Sequence, residues 1–222
     1  MSPPVDSSGP SAFIPLVGLV GGVGSGKSTL AQGLAQRMSV AILDADRAGH
    51  EALRQPSVKV ALRRAFGNSF FDEAQEVNRS QLAAQVFGAD DQARQNRLTL
   101  ERIVHPVIRS DIQQQLQHVR ELGQVQVVLL DAPLLLESGW REFCDAVVFI
   151  DTPLDKRQAW TAASRSWTTE ELSRREASQW PIARKRSESD FIIDNSGSLT
   201  ASIDQFQLIA QGLSPAPSAR TE

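Results

Sequence analysis

The sequence predicts a three-layer α/β fold with a five-stranded parallel sheet and a helical insertion between the second and third strands. Short apolar runs alternate with longer helical patterns, as in βα units whose strands are buried on both faces. Each apolar run leads directly into a polar loop, and the carboxyl ends of parallel strands meet at one edge, so these loops should share a crevice. The predicted strands span residues 14–20, 40–43, 125–130, 146–150 and 191–193.

A glycine-rich loop follows the first predicted strand. The run GGVGSGKST matches the pattern GxxxxGK[ST] and precedes a helical pattern over residues 30–38. Glycines let successive N–H groups approach phosphate oxygens, and the N-terminus of a helix favours anions. Lys27 is expected to contact the β and γ phosphates of a nucleoside triphosphate, and the Ser28 hydroxyl to bind Mg²⁺. The predicted nucleotide ligands are Gly22, Val23, Gly24, Ser25, Gly26, Lys27, Ser28 and Thr29.

Two aspartates follow the second predicted strand in the run DADR. A carboxylate is ionised at neutral pH and can accept the hydrogen bond of an attacking hydroxyl group. Asp46 is the preferred candidate for this catalytic role, and an acidic turn or helix cap is the alternative.

The segment at residues 47–124 is too long for one crossover helix, so it is predicted to be a helical insertion that selects the substrate. Apolar residues recur there at helical spacing after residue 107, and Pro106 is expected to start that helix or to break the one before it.

Polar groups also follow the later strands. Asp131 is expected either to approach Mg²⁺ through water or to form a structural turn. A second helical region is predicted at residues 153–187, where Thr168 and Glu171 have the spacing of a capping box. Asp194 and Asn195 follow the fifth strand.

The 222-residue chain is long enough for one domain, expected at residues 14–213 between flexible tails at 1–13 and 214–222 that are rich in Pro, Ser and Ala. A net charge of −3 argues against a general nucleic-acid binder, and no apolar run approaches the roughly 20 residues of a membrane span. Cys144 is expected to be an inert buried thiol, and a cytoplasmic location is expected in the absence of an export signal. A monomer or weak homo-oligomer is expected.

Over residues 16–211 the sequence resembles the dephospho-CoA kinases, which have the P-loop kinase fold with a lid. The generic loop motif is less specific than the DAD, HP and PLLLESG motifs together. The resembling segments are GLVGGVGSGKST, LDADRAGHE, NRSQLAAQVF, LERIVHP, LLDAPLLLESG, FCDAVVFI, ASQWP and SDFIIDNSGS.

The resemblance implies transfer of the γ-phosphoryl group of ATP to the ribose 3'-hydroxyl of dephospho-CoA, with Mg²⁺ bridging the phosphates. Asp46 would be the base that orients the acceptor, and Asn195 would belong to a nucleotide-side loop near the adenine. Elements on the acceptor side would include Arg79, His105, Pro133, Leu134 and Glu137. The alternative for His105 is that it ends a helix before Pro106.

The lid region, about residues 153–187, departs from the family pattern. Gln158 is present, but Thr161 stands where the first lid arginine belongs, and Arg165 matches the second. Arg165 is therefore the expected catalytic lid arginine, with Arg157 as a substitute. The alternative is that both arginines lie on a solvated helical face.

Two other functions share the nucleotide loop. One is another small P-loop kinase that acts on a nucleoside or nucleotide. The other is a regulatory nucleotide-binding module without acceptor chemistry.

Overall fold

A computed structural model describes residues 13–86, 88, 90–132 and 134–213. Its five-stranded parallel sheet has the order β2-β3-β1-β4-β5, which places β1 at the centre. All five predicted strands are confirmed, each end lying within two residues of the prediction. The strands are β1 (Leu16–Gly21), β2 (Val40–Asp44), β3 (Val127–Asp131), β4 (Ala146–Asp151) and β5 (Phe191–Asp194).

Side chains before β4 and on the helix before β3 determine where β1 begins. The Leu16 N–H donates to the Asp145 carboxylate at 2.7 Å, and Arg120 Nη2 binds the same oxygen at 2.8 Å. Arg120 Nε also donates to the Ile14 carbonyl at 3.0 Å. Ile14 lies outside β1, although the predicted strand included it, and its carbonyl is bound by a side chain instead of a neighbouring strand.

One face of the sheet packs against the first and last helices. Alternate strand residues point to this face, as the period of two in a strand requires. The helices approach closely at Gly33, where an added Cβ would lie 2.8 Å from Ile203 Cδ1. The buried cluster is Val17, Leu19, Leu30, Ala31, Leu34, Val127, Leu129, Val148, Ile150, Ile193, Ile203 and Phe206.

The opposite face of β1 packs against the segment between β3 and β4. An added Cβ at Gly18 would lie 2.6 Å from Leu135 Cδ1 and 3.0 Å from Cys144 Sγ. Burial raises the pKa of Cys144 to about 12, so the thiol stays protonated at neutral pH. The prediction of an inert buried thiol is confirmed.

Nine helices longer than one turn occur in the described ranges. They are α1 (Lys27–Ala35), α2 (Ala45–Ala52), α3 (Pro56–Phe66), α4 (Arg79–Val86), α5 (Asp91–Leu122), α6 (Leu154–Arg165), α7 (Thr169–Ala177), α8 (Ile182–Ser187) and α9 (Leu199–Gly212). Short 3₁₀ segments span Asn68–Phe70 and Trp140–Phe143. Among the described residues, no helix has both the length and the apolar character that a membrane span needs.

The expectation that Pro106 starts or breaks a helix is wrong, because α5 continues through it. Proline removes one N–H and crowds the carbonyl of Arg102, at a typical cost of about 3 kcal/mol. Val104, Ile108 and Ile112 are buried on the same helix, and full burial of such a side chain contributes about 1.5–3 kcal/mol. Burial of these three side chains therefore outweighs the local cost of the proline.

The predicted cap of α7 is confirmed in its first half. Thr168 Oγ1 accepts a hydrogen bond from the Glu171 N–H at 3.2 Å. The Glu171 carboxylate does not return to the N-cap but binds Arg174 and Arg175 on the helix surface.

The chain forms two compact units. The first comprises Met1–Leu43 and Leu116–Glu222 and contains most of the sheet; the second comprises Asp44–Gln115 and is helical. The predicted tails at 1–13 and 214–222 lie outside the described residues, apart from residue 13.

Candidate active site

The loop between β1 and α1 requires glycine at two positions. Gly24 (φ 75°) and Gly26 (φ 82°) adopt the left-handed backbone conformation that other residues rarely adopt. A Cβ at Gly24 would also lie 2.6 Å from Thr161 Cγ2. Gly26 is the N-cap of α1, so the chain enters the helix directly from this turn. The N–H groups of the first helical turn then have no acceptor within the helix, which suits them to bind an anion.

Ser25 has a structural position in this loop. Its N–H donates to the Gly22 carbonyl at 3.1 Å, so this amide is used inside the turn. Its side chain is buried against Gly21, and among the described residues no hydrogen-bond partner is found for Ser25 Oγ. The phosphate-facing amides are therefore expected from the other loop residues and from Lys27, Ser28 and Thr29.

Loops after β4 and β5 hold the Ser25 carbonyl from behind. It accepts hydrogen bonds from Thr152 Oγ1 at 2.8 Å and from Asn195 Nδ2 at 3.1 Å. In a trans peptide the carbonyl and the following N–H point in opposite directions. Fixing the Ser25 carbonyl therefore aims the Gly26 N–H away from this support.

The Asn195 side chain binds the backbone of the glycine loop. Its side chain is buried, and Nδ2 donates to both the Ser25 carbonyl and Thr152 Oγ1. Its Oδ1 accepts from Ser202 Oγ at 2.7 Å. Because the amide hydrogens and oxygen bind groups of the protein, the Asn195 side chain supports the loop backbone. Its place in a loop near the adenine stays a prediction.

A charged cluster surrounds Lys27. Burial lowers the pKa of Lys27 from 10.5 to about 8; Asp131 and Glu137 oppose this shift, and Lys185 and Arg165 add to it. These side chains come from the ends of β3 and α6, from the turn after β3 and from α8. A group of three cations near a glycine loop favours an anionic ligand, which would offset their mutual repulsion.

Glu137 and Lys185 form a buried ion pair in this cluster. Glu137 Oε1 accepts from Lys185 Nζ at 2.9 Å and from the Trp180 N–H at 2.9 Å. Lys185 also donates to Gln179 Oε1 at 2.7 Å. Glu137 Oε2 is buried and has no hydrogen-bond partner within the described ranges. A ligand or water that donates a hydrogen bond would satisfy this oxygen.

The lowered pKa of Lys27 predicts proton uptake when a nucleotide binds. At pH 8 about half of the free protein lacks this proton, and phosphates beside the ammonium group would raise its pKa. Binding of Mg·ADP is therefore expected to take up about half a proton at pH 8 and almost none at pH 6.5 from this group. Calorimetry in buffers with different ionisation enthalpies measures the uptake. If the proton uptake does not rise between pH 6.5 and pH 8, the assignment of Lys27 as the group beside the phosphates is wrong.

The lid arginines differ in environment. Arg165 is exposed at the end of α6, with its guanidinium 4.7 Å from the Trp167 ring centre. Arg157 is buried and binds protein groups, so the solvated-face alternative is wrong for this residue. For the same reason Arg157 is a poor substitute for the missing lid arginine. Thr161, at the departing position, is buried and donates to the Arg157 carbonyl at 2.7 Å.

Asp44 and Asp46 take different positions at the start of α2, in the second unit. Asp44 is the N-cap, and its side chain accepts from the Arg47 N–H at 2.9 Å. The alternative of a helix cap therefore applies to Asp44. Asp46 lies in the first helical turn and is exposed.

Arg79 and His50 meet in the second unit. Arg79 Nη2 lies 2.5 Å from His50 Nε2, in a cavity also lined by Glu76 and Leu53. Asp46 and His50 are four residues apart on α2 and so share one face of the helix.

The structure describes two of the three other residues that were predicted on the acceptor side. His105 is partly buried within α5, and this burial lowers its pKa, partly opposed by Glu101. Leu134 is exposed, and Pro133 lies outside the described residues.

Sequence reasoning missed several residues. Thr152 directly follows β4, and its position at a strand end was the available signal. His50 lies in the segment LDADRAGHE but was not selected. Lys185 and Glu176 stand in charge-rich helices, where no local pattern distinguishes a buried charged residue from a solvated one.

Comparison with known proteins agrees with this geometry. The family model described as dephospho-CoA kinase matches residues 15–201. The dephospho-CoA kinase of Rhodopirellula baltica is 38% identical over 190 residues, covering 86% of this chain and 87% of that protein. The enzyme of the same name from Latilactobacillus sakei is 34% identical over 198 residues, covering 89% and 95%.

Solved structures show the same architecture. The crystal structure of TT1252 from Thermus thermophilus matches with a TM-score of 0.74 and 27% identity, over 91% of this chain and all of that one. Dephospho-CoA kinase from Campylobacter jejuni matches with a TM-score of 0.64 and 22% identity, over 90% and 99%, which supports the fold alone.

Proposed function

Because the chain belongs to the dephospho-CoA kinase family and is a phosphotransferase, we propose that it transfers the γ-phosphoryl group of ATP to the ribose 3'-hydroxyl of dephospho-CoA. The products are coenzyme A and ADP. Both substrates are small molecules, and the reaction is assigned to the cytoplasm.

The donor site is the turn at Gly22–Thr29. Backbone N–H groups of the loop and of the first turn of α1 bind the phosphate oxygens, while Lys27 contacts the β and γ phosphates. The observation that carries the proposal is the glycine turn, in which Gly24 and Gly26 are left-handed and lead directly into α1 at Lys27. Burial is the main cause of the lowered pKa of Lys27, and the charges of Lys185 and Arg165 add to it. Phosphate oxygens beside the Lys27 ammonium group would stabilise its charge.

Mg²⁺ fits the donor set at this site. The Ser28 hydroxyl is exposed at the first turn of α1, and Asp131 at the end of β3 interacts electrostatically with Lys27. Hydroxyl and carboxylate oxygens suit Mg²⁺, which usually keeps several waters and binds substrate phosphates. When bound, the ion neutralises charge on the phosphates. No cluster of three or more His, Cys, Asp or Glu with metal-site geometry occurs among the described residues, so a site shared with the substrate fits better than a protein cage.

Asp46 orients the acceptor. Its carboxylate accepts the hydrogen bond of the 3'-hydroxyl and receives the proton as the phosphoryl group is transferred. The transition state is loose, so most of the acceleration comes from positioning and charge neutralisation. Arg165 neutralises charge on the transferred group.

Five residues are assigned to binding of the acceptor. They are Arg79, His105, Pro133, Leu134 and Glu137. The partnerless Glu137 Oε2 supports its assignment, because an acceptor hydroxyl or amide could donate to it.

Substrate-dependent release of ADP tests the proposed function. The purified protein with ATP and Mg²⁺ should release ADP when dephospho-CoA is added and form a 3'-phosphorylated product detectable by mass spectrometry. Adenosine, AMP and shikimate serve as alternative acceptors. Stimulation by one of these but not by dephospho-CoA would point to another small kinase, and no stimulation by any acceptor would favour a regulatory nucleotide-binding module.

A further inference from the structure

We propose that the ion pair between the buried Arg157 and the partly buried Glu176 is a positioning device that orients the nucleotide-binding loop from behind. The proposal rests on the assignment of this loop as the ATP phosphate site. It concerns how the loop is held, not which acceptor is phosphorylated. It also assigns Arg157 a role different from that of the absent lid arginine.

The Arg157 guanidinium joins three parts of the chain. Its Nη1 donates to the Val23 carbonyl of the loop at 3.2 Å and to Glu176 Oε1 of α7 at 2.5 Å. Its Nε donates to the Thr152 carbonyl after β4 at 3.2 Å. The Arg157 side chain is 5% exposed and that of Glu176 is 24% exposed, so the guanidinium is buried while its carboxylate partner is partly accessible. One residue of α6 thus connects the loop, the β4 end and α7.

The hydrogen bond to Val23 determines the direction of an amide. No peptide bond in the described residues is cis, so the Gly24 N–H points opposite to the Val23 carbonyl. Arg157 holds that carbonyl toward the protein and therefore aims the Gly24 N–H away from it. Thr152 and Asn195 act in the same way on the Ser25 carbonyl and the Gly26 N–H. These hydrogen bonds thus point the N–H groups of Gly24 and Gly26 toward the side of the loop where a phosphate would bind.

The ion pair packs directly against the loop backbone. An added Cβ at Gly22 would lie 2.7 Å from Arg157 Nη1 and 2.9 Å from Glu176 Oε1. A side chain at Gly22 would therefore force the ends of Arg157 and Glu176 to shift. This close contact lets a displacement of the guanidinium act on the loop backbone.

Glu176 keeps Arg157 in place. A buried guanidinium needs a nearby countercharge, and no other carboxylate in the described part of the chain forms an ion pair with Arg157. Loss of the Glu176 charge would draw Arg157 toward water and away from Val23. The expected effect is a loosened loop, seen first as weaker nucleotide binding.

The test compares Glu176→Gln and Arg157→Lys with the parent protein. Glutamine keeps the shape of Glu176 but removes its charge, and lysine keeps the charge of Arg157 but cannot reach all three acceptors. The dissociation constant of Mg·ADP is measured by calorimetry. The values of kcat and of KM for ATP are measured by steady-state kinetics with dephospho-CoA as the acceptor. We expect the ADP dissociation constant and the KM for ATP to rise by about tenfold, with kcat at saturating ATP within about threefold.

Two control variants separate positioning from general destabilisation. Glu171→Gln removes two surface ion pairs on the same helix and should leave ADP binding unchanged. Ile112→Val truncates a buried side chain in the second unit and should lower the melting temperature while leaving the ADP dissociation constant unchanged.

Melting temperatures complete the comparison. If Glu176→Gln and Arg157→Lys lower the melting temperature but leave ADP binding within twofold of the parent, the pair is only structural and the proposal is wrong. ADP binding is measured without an acceptor. A failure of this proposal is therefore distinct from a failure to phosphorylate dephospho-CoA.

Discussion

Replacing Lys27 with methionine is expected to lower kcat/KM for ATP by about 10³-fold while leaving the nucleotide-free protein as stable as the parent or more stable. The activity falls because the ammonium group would no longer neutralise the charge that develops on the phosphates. The stability does not fall because Lys27 is a buried cation next to Lys185 and Arg165, with a pKa lowered to about 8. Steady-state kinetics and thermal unfolding of the apo protein measure the two effects.

The stability effect of Lys27→Met should depend on pH. Below about pH 8 the lysine is protonated in both the folded and unfolded chain, so the folded protein bears the full cost of the buried charge. Between about pH 8 and the ordinary lysine pKa of 10.5, only the unfolded chain keeps the proton, and the parent gains stability as the pH rises. The advantage of the methionine variant should therefore be largest below pH 8 and shrink toward pH 10.5.

Lys59→Met is the matched control for the lysine substitution. Lys59 pairs with Glu76 in the second unit, so its loss should not raise the melting temperature. A Lys27→Met protein that turned over at the parental rate would overturn the donor-site assignment. One that melted well below the parent would show instead that Lys27 stabilises the empty loop.

Replacing Asp46 with asparagine is expected to reduce kcat by about 10²- to 10³-fold with nearly unchanged affinity for Mg·ADP. Asparagine has almost the same shape but cannot accept the proton of the attacking hydroxyl. The donor site lies on the loop after β1, so its ligands are untouched. Rates of coenzyme A formation and calorimetric ADP binding provide the two measurements.

Asp44→Asn is a stringent control because it makes the same chemical change two residues away. Asp44 caps α2, and asparagine caps helices about as well as aspartate, so this variant should keep most of its activity. Equal loss of turnover in both variants would indicate a general requirement for negative charge near α2. Retained turnover in Asp46→Asn would reject Asp46 as the base.

The sequence predicted those features that arise from residues close together in the chain. All five strands were found because apolar runs and the loops that end them are local patterns. The nucleotide loop was found because the left-handed turns at Gly24 and Gly26 and the adjoining helix are specified by neighbouring residues. The half-formed capping box at Thr168 has the same origin.

The roles of several polar residues were decided by partners far away in the chain. Arg157 and Val23 are 134 residues apart, and Asn195 and Ser25 are 170 apart, so no spacing rule links them. The sequence offered Arg157 only as a substitute for a lid arginine and gave no sign that Arg157 and Asn195 both bind the loop backbone.

Neighbouring residues were thus enough to predict where the strands and helices lie, the glycine turn and the family. Distant contacts determined which charged and polar side chains are buried and what they bind, as for Lys185 against Glu137. They also determined that α5 continues through Pro106. Backbone conformation responds to neighbouring residues, whereas burial of a charge or a proline is favourable only when distant segments supply the partner or the apolar surface that offsets its cost.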